Sequence, residues 1–195
     1  MKKKLILVGA PPACGKNFVS DLICKKLERV AYFDKDDLTD LRLCAFNVSG
    51  QTPNTDGEFY VKNIRPYEYL TLFNLAFSAL KYENYVLVNV PFIQESKNET
   101  YMADLKKRAE KLNAQLIFIW VTASEEICFE RMKKRNSSRD TEKLKNWQEY
   151  VKTVDYTVPK FLEEKGLVDR VIHFDNENEL KAKLSLDKTI KILGE

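Results

Sequence analysis

Histidine is almost missing from this 195-residue chain, which carries only His173. Functions that need an imidazole cluster are thereby excluded. His173 itself falls among apolar residues and reads as packing or sheet edge. The four cysteines, Cys14, Cys24, Cys44 and Cys128, are widely spaced and form no C-x-x-C pair, so their pattern indicates neither a zinc site nor a redox pair. Reduced thiols of a cytoplasmic protein are the default. Charge of one sign is not in excess either, with 32 basic against 29 acidic residues and a net charge of +3. That balance argues against wholesale nucleic-acid binding and requires any basic patch to be local. No stretch approaches the roughly 18 apolar residues of a membrane span. The opening Met1-Lys2-Lys3-Lys4 and Leu5–Val8 have the look of an export signal, but Pro11 and Pro12 end the apolar run after about six residues. A soluble protein with no membrane partner is expected. Internal repeats and low-complexity tracts are absent, and the length suits one domain over residues 1–195, burying roughly 70% of the surface of its unfolded chain.

What is present is concentrated near the start. Residues 5 to 18 read Leu-Ile-Leu-Val-Gly-Ala-Pro-Pro-Ala-Cys-Gly-Lys-Asn-Phe, a short apolar strand entering a tight turn that closes in Gly-Lys and opens a helix. This is the pattern of a phosphate-binding loop. Consecutive backbone N–H groups and a helix N-terminus converge on one anion, while a lysine, here Lys16, reaches the outer phosphates as a point charge. Two positions depart from G-x-x-x-x-G-K-[ST]. Ala10 stands where the first glycine belongs, and Gly9, one residue earlier, is expected to supply the backbone freedom. Asn17 replaces the hydroxyl that ordinarily ligates Mg²⁺; an amide oxygen can approach a hard cation but must orient differently.

Short β-rich runs alternate with helical ones, which predicts an α/β protein with a parallel sheet covered on both faces. Strands are expected at Lys4–Val8, Val30–Phe33, Tyr85–Val90, Gln115–Val121 and Arg170–Phe174. Helices are expected at Lys16–Arg29, Asp37–Phe46, Tyr60–Tyr82, Tyr101–Asn113, Ser124–Lys134, Glu142–Glu164 and Glu177–Leu193. Two polar segments, Asn47–Gly57 and Arg135–Thr141, read as loops and as lid candidates at the carboxyl edge of the sheet, where ligands of such sheets lie. The aromatic stripe in Tyr67–Phe77 has helical spacing and reads as core.

Strand 2 runs into Asp34-Lys35-Asp36-Asp37, placing carboxylates on that same edge. An aspartate within reach of a phosphoryl acceptor can orient its hydroxyl and take its proton. Asp36 is favoured for that role, and Asp37 as a helix cap. From Arg131 to Arg139, five cations occupy nine residues, a density that suits closure over polyphosphate. Lys133 and Lys134 also read as a solvated helix face, whereas Arg131, Arg135 and Arg139 recur every four residues. Arg65, beside the Asn47–Gly57 loop, has two open readings, as a substrate contact or as an ordinary surface arginine.

Taken together, Gly9–Asn17, Asp34–Leu38, Val86–Phe92 and Lys134–Arg139 resemble the small P-loop kinases: polynucleotide 5′-kinases, zeta toxins, chloramphenicol phosphotransferase, and gluconate and shikimate kinases. The resemblance spans most of the chain. It implies a P-loop NTPase, kinase-like α/β/α fold with five parallel strands ordered 2-3-1-4-5, a lid at about residues 131–145, and ATP with Mg²⁺. The implied activity is transfer of the γ-phosphoryl group to a hydroxyl of a small-molecule or nucleotide acceptor. In that reading Ala13, Cys14, Gly15, Lys16, Asn17 and Phe18 bind the cofactor with Arg131 and Arg135, Asp36 activates the acceptor, and Arg139 serves the transferring group. Asn17 and Asn89 occupy the positions associated with metal, Asn89 replacing an aspartate common at the end of strand 3. Asn89 reads equally well as a buried polar residue satisfied by its surroundings. Thr39 stands where the polynucleotide-kinase pattern has an arginine, with Arg42 one turn further on as a possible substitute at the substrate. Nucleic-acid ends are therefore not the favoured acceptor. The alternative activities are a nucleotide-binding module that transfers poorly and a slow nucleotide hydrolase.

Overall fold

A computed structural model describes residues 2–137 and 140–195. In chain order these form β1 (Lys3–Gly9), α1 (Lys16–Lys26), β2 (Val30–Asp34), a 3₁₀ turn (Lys35–Leu38), α2 (Thr39–Val48), α3 (Glu58–Asn63), α4 (Arg65–Ala79) and β3 (Tyr85–Asn89). A second 3₁₀ turn (Glu95–Lys97), α5 (Glu99–Lys111), β4 (Ala114–Thr122), α6 (Glu125–Arg135), α7 (Thr141–Lys145), α8 (Trp147–Thr153), α9 (Phe161–Glu164), β5 (Arg170–Asp175) and α10 (Glu179–Gly194) follow. The strands make one parallel sheet in the order β2-β3-β1-β4-β5, as expected. Each expected strand lies within one residue of its observed ends.

Alternation along the strands divides the core. Leu5, Leu7, Val86, Val88, Leu116 and Phe118 face α4 and α5, meeting Leu72, Phe73, Met102 and Leu105. Ile6, Val8, Leu87, Ile117 and Ile119 face the other way, onto Val19 and Ile23 of α1 and Ala182 and Leu186 of α10. Because β1 is buried on both faces at the centre of the sheet, the loop leaving its carboxyl end starts from a fixed point.

Two expected helices are broken, for stated reasons. The helix expected over Tyr60–Tyr82 divides at Ile64 into α3 and α4. Pro66 has no N–H to give to the preceding turn, and it sits comfortably only in the first turn of a new helix. The helix expected over Glu142–Glu164 is three short helices. After Thr153 the chain extends through Val154, and the Asp155 carboxylate accepts from both the N–H and the hydroxyl of Thr157. That local turn competes with helix, and Pro159 prevents its recovery. Of the two expected loops, the first is shortened because α2 runs to Val48. The second opens with Asn136 in the left-handed conformation as the cap of α6. His173 is exposed on β5, the edge strand. Among the described residues, no helix is long and apolar enough to cross a membrane.

Leu7 is fully buried, whereas Leu75 on α4 is 47% exposed. Urea unfolding should show a loss of about 2–5 kcal/mol for Leu7→Ala and within about 0.5 kcal/mol of wild type for Leu75→Ala. Equal losses would contradict the inward and outward faces assigned here.

Candidate active site

The loop between β1 and α1 bends through two left-handed residues, Ala13 at φ 64° and Gly15 at φ 89°. The backbone freedom expected of Gly9 is therefore exercised at Ala13 and Gly15. Gly9 serves packing instead: a Cβ there would stand 2.9 Å from the Phe118 ring. At Gly15 a Cβ would stand 2.2 Å from Asn176 Nδ2, so both space and conformation require glycine. The Cys14 carbonyl between the two bends is clamped. It accepts from Asn176 Nδ2 at 2.7 Å and from Arg131 Nη1 at 3.2 Å, while Arg131 Nη2 donates to the Asn176 carbonyl at 2.7 Å. Arg131 thus acts as a strut from α6 to the back of the loop.

Beneath the loop lies a chain of polar side chains. Asn17 Oδ1 accepts from Lys16 Nζ at 3.1 Å and from Asn89 Nδ2 at 3.0 Å. Asn89 is fully buried; its Oδ1 accepts from the Ser20 hydroxyl, and its Nδ2 also donates to Tyr32 and to Asp34 Oδ2. Of the two readings of Asn89, the structure favours the satisfied buried amide: its oxygen is turned to Ser20 and its N–H₂ toward the loop. The carboxylate comes from the neighbouring strand. Asp34 ends β2 in register with Asn89, is 7% exposed, and accepts from the Asp36 N–H and the Tyr32 hydroxyl at 2.9 and 2.8 Å. Burial, reinforced by Asp34, pushes the Tyr32 phenol above its ordinary range and keeps it a donor. Burial pushes the Lys16 ammonium down to about 8, opposed by the charges of Asp34 and Asp36 and aided by Lys35.

Lys16, Asn17 and Phe18 open onto a cleft of about 610 Å³ that extends to Pro91, Ile93, Arg65 and Tyr69. Its charged lining consists of Lys16, Lys35, Arg42, Arg65, Arg131, Arg135 and Lys143 against Asp34, Asp36, Asp56 and Asp140. Seven cations against four acids suit a polyanionic ligand. Asp36 is exposed on this cleft, its N–H tied to Asp34, whereas Asp37 lies in the first turn of the 3₁₀ segment. Arg42 turns back so that Nη2 donates to the Thr39 hydroxyl at 2.8 Å, and Nη1 meets Glu68 at 2.7 Å. Buried Glu68 also receives Lys35 at 3.2 Å and the Tyr60 hydroxyl at 2.6 Å, which fixes this wall. Arg65 is not a free surface arginine. It pairs with Glu95 at 2.8 Å, donates to Gln94 at 3.0 Å and lies over the Tyr69 ring.

Arg135 binds the buried Asp140 through Nε and Nη2 at 2.9 and 2.7 Å. Lys143 of α7 reaches Asp56 at 3.9 Å, so the two expected lid segments meet at the cleft. Arg139 lies outside the described residues. Sequence reading missed Asn176, which nothing in its local sequence marks; it placed Asp34 among the acids after strand 2 without singling it out as the buried one. It also missed a sulfur pair: Cys14 and Cys128, 114 residues apart, bring their Sγ atoms to 3.5 Å. Spacing alone does not report such a contact.

No protein-family model matches the chain, and no curated protein matches it. Solved structures share its fold. A Chloroflexus aurantiacus protein carrying the general designation of kinase is 17% identical, with a TM-score of 0.67 over 100% of this chain and 98% of that one. The Mycobacterium tuberculosis APS kinase CysC, in complex with AMPPNP and APS, is 16% identical, with a TM-score of 0.56 over 100% and 99%. A Sinorhizobium meliloti gluconokinase is 15% identical, with a TM-score of 0.52 over 98% and 95%. The fold is that of the small P-loop kinases.

The lowered Lys16 value has a measurable consequence. Anion binding favours the protonated ammonium, which free protein loses as pH rises through about 8. ATP affinity measured by calorimetry should therefore fall on the order of tenfold between pH 7.5 and 9, with proton uptake on binding at the higher pH. A flat profile would place the Lys16 ammonium outside the binding event.

Proposed function

We propose that the protein is an ATP-dependent phosphotransferase that moves the γ-phosphoryl group onto a hydroxyl of a small-molecule or nucleotide acceptor. The observation that carries this reading is that a lysine-bearing phosphate loop and the exposed Asp36 carboxylate open onto one cationic cleft. Lys16 and the N–H groups of Ala13 and of residues 15–18 hold the donor phosphates, with Arg135 beside them; the Cys14 N–H is turned to the Pro11 carbonyl instead. Arg131 supports the loop from behind through the Cys14 carbonyl. Asp36 takes the proton of the acceptor hydroxyl, whose oxygen bonds to the γ-phosphorus as the bridging bond to ADP breaks. Arg42 and Arg65 form the acceptor wall, their guanidiniums held by Glu68 and Glu95. Arg139 retains the role implied by its motif, as the lid arginine at the transferring group. Catalysis is positioning and charge stabilisation.

Magnesium fits this donor set. Such an ion would be bound largely through nucleotide oxygens and water. Asp34 and Asn17 are the side chains that would contact it, in exchange for hydrogen bonds their oxygens now accept. When bound, it neutralises charge on the outer phosphates. Asn89 is not included, since its oxygen is held by Ser20.

One observation favours the second reading, a nucleotide-binding module or slow hydrolase: the Asn17 oxygen is already shared by Lys16 and Asn89. Transfer of labelled γ-phosphate to a panel of hydroxyl acceptors tests both. Asp36→Asn should retain ATP binding and lose about 10²- to 10⁴-fold in transfer rate, while Asn17→Ser should transfer faster. Full activity in Asp36→Asn would remove Asp36 as the base. ATP bound by wild type and Asn17→Ser, with no acceptor labelled by either, would favour the module.

A further inference from the structure

The phosphate loop is tied to α6 by two contacts from one helix face. Arg131 donates to the Cys14 carbonyl at 3.2 Å, and one turn earlier the Cys128 Sγ stands 3.5 Å from the Cys14 Sγ. Both thiols are free and buried, with no exposed surface. We propose that Cys14 and Cys128 are an oxidation site, which peroxide converts to a disulfide that disables the phosphate loop. Its regulatory consequence rests on the nucleotide-binding reading; the oxidation chemistry does not.

Geometry and chemistry both support the pair. A disulfide requires the sulfurs to approach to about 2.05 Å, a short closure from their present 3.5 Å contact. The two thiols are chemically unequal. The hydrogen bond shared with Cys128 holds the Cys14 thiol below its ordinary range, with the Arg131 charge acting in the same direction and burial opposing both. The same bond, together with burial, pushes Cys128 up. In this scheme Cys14, whose carbonyl receives the Arg131 guanidinium, is the attacking thiolate. Its sulfur takes oxygen from hydrogen peroxide, giving a sulfenic acid and hydroxide. Cys128 sulfur then bonds to Cys14 sulfur, loses its proton and expels the hydroxyl, so that two thiols and one peroxide yield one disulfide and two waters. The neighbouring cysteine is already in place as the resolving partner, which favours this step over further oxidation.

The functional effect follows from what Cys14 cannot do freely. Its backbone lies between the left-handed Ala13 and Gly15, and its carbonyl is clamped by Asn176 and Arg131. Drawing its sulfur toward α6 strains that clamp and re-aims the N–H groups of the loop. Among the described residues Cys24 and Cys44 have no comparable partner: Cys24 lies on α1, and burial pushes its thiol up to about 11, while Cys44 is exposed on α2.

The test uses the full chain, reduced and then exposed to hydrogen peroxide, with remaining thiols alkylated and peptides mapped by mass spectrometry. The expected result is a linked Cys14–Cys128 peptide and a loss of ATP affinity of about tenfold or more, as donors misplaced by ~1 Å would give, restored by dithiothreitol. Cys128→Ala, checked for folding by thermal melting and for ATP binding when reduced, should show neither the link nor the reversible loss. Cys128→Ser serves the same purpose if the alanine variant does not fold. Absence of the linked peptide, or its formation with unchanged ATP binding, would overturn the proposal. Reduced wild type that binds no ATP would instead overturn the nucleotide reading, leaving the linked peptide to decide the oxidation site.

Discussion

The carbonyl oxygen of Cys14 is the point at which three distant parts of the chain meet. Asn176, just beyond β5, and Arg131, on α6, both donate to it, and it sits between the two left-handed residues that shape the phosphate loop. Within the loop the Cys14 N–H donates to the Pro11 carbonyl; the rest of the loop's shape is held through its carbonyls and packing, which leaves its other N–H groups for an anion. The absence of a side chain at Gly15 is what lets the Asn176 amide approach. The sheet supplies the other half of the constraint, because β1 is buried between β3 and β4 and delivers the loop from a rigid strand.

The carboxylate at the floor of the phosphate loop comes from the end of β2, where the acidic run placed it, and not from the end of β3. The end of β3 carries an amide, Asn89, whose hydrogen bonds are taken up by Ser20, Tyr32, Asn17 and Asp34. The buried carboxylate is Asp34 on β2, held in register beside it. Asp34 in turn fixes the backbone N–H of Asp36, linking the floor of the phosphate loop to the exposed acid on the cleft. The buried Glu68, holding Lys35, Arg42 and Tyr60, gives the opposite wall a comparable rigidity. A buried carboxylate with two cations and a phenol on it specifies geometry more than it adds stability.

The sheet was legible because strands buried on both faces leave continuous apolar runs, such as Leu5–Val8 and Val86–Val88. The phosphate loop was legible because its residues are contiguous. Helix ends were less so: α3 stops ahead of Pro66, and α8 stops at Thr153 where the Asp155–Thr157 turn takes over, although apolar spacing runs past both; spacing weighs neither a lost N–H nor a competing turn. What could not be read was every relation created by register or by distant contact. Asp34 beside Asn89, Arg131 used as a strut on a carbonyl, and Cys128 against Cys14 join segments separated by 55, 117 and 114 residues. Arg42 beside Thr39 lies between these cases, since one helical turn brings the guanidinium within reach of the threonine hydroxyl.

The proposed phosphotransfer requires that Lys16 and its loop bind the phosphates of a nucleotide with magnesium. Calorimetric titration of ATP with and without Mg²⁺, on wild type and on Lys16→Ala, tests it most directly. Wild type should bind ATP, more tightly with Mg²⁺, and Lys16→Ala should lose that binding. Equal ATP affinity in the two proteins, or no binding to either, would contradict it.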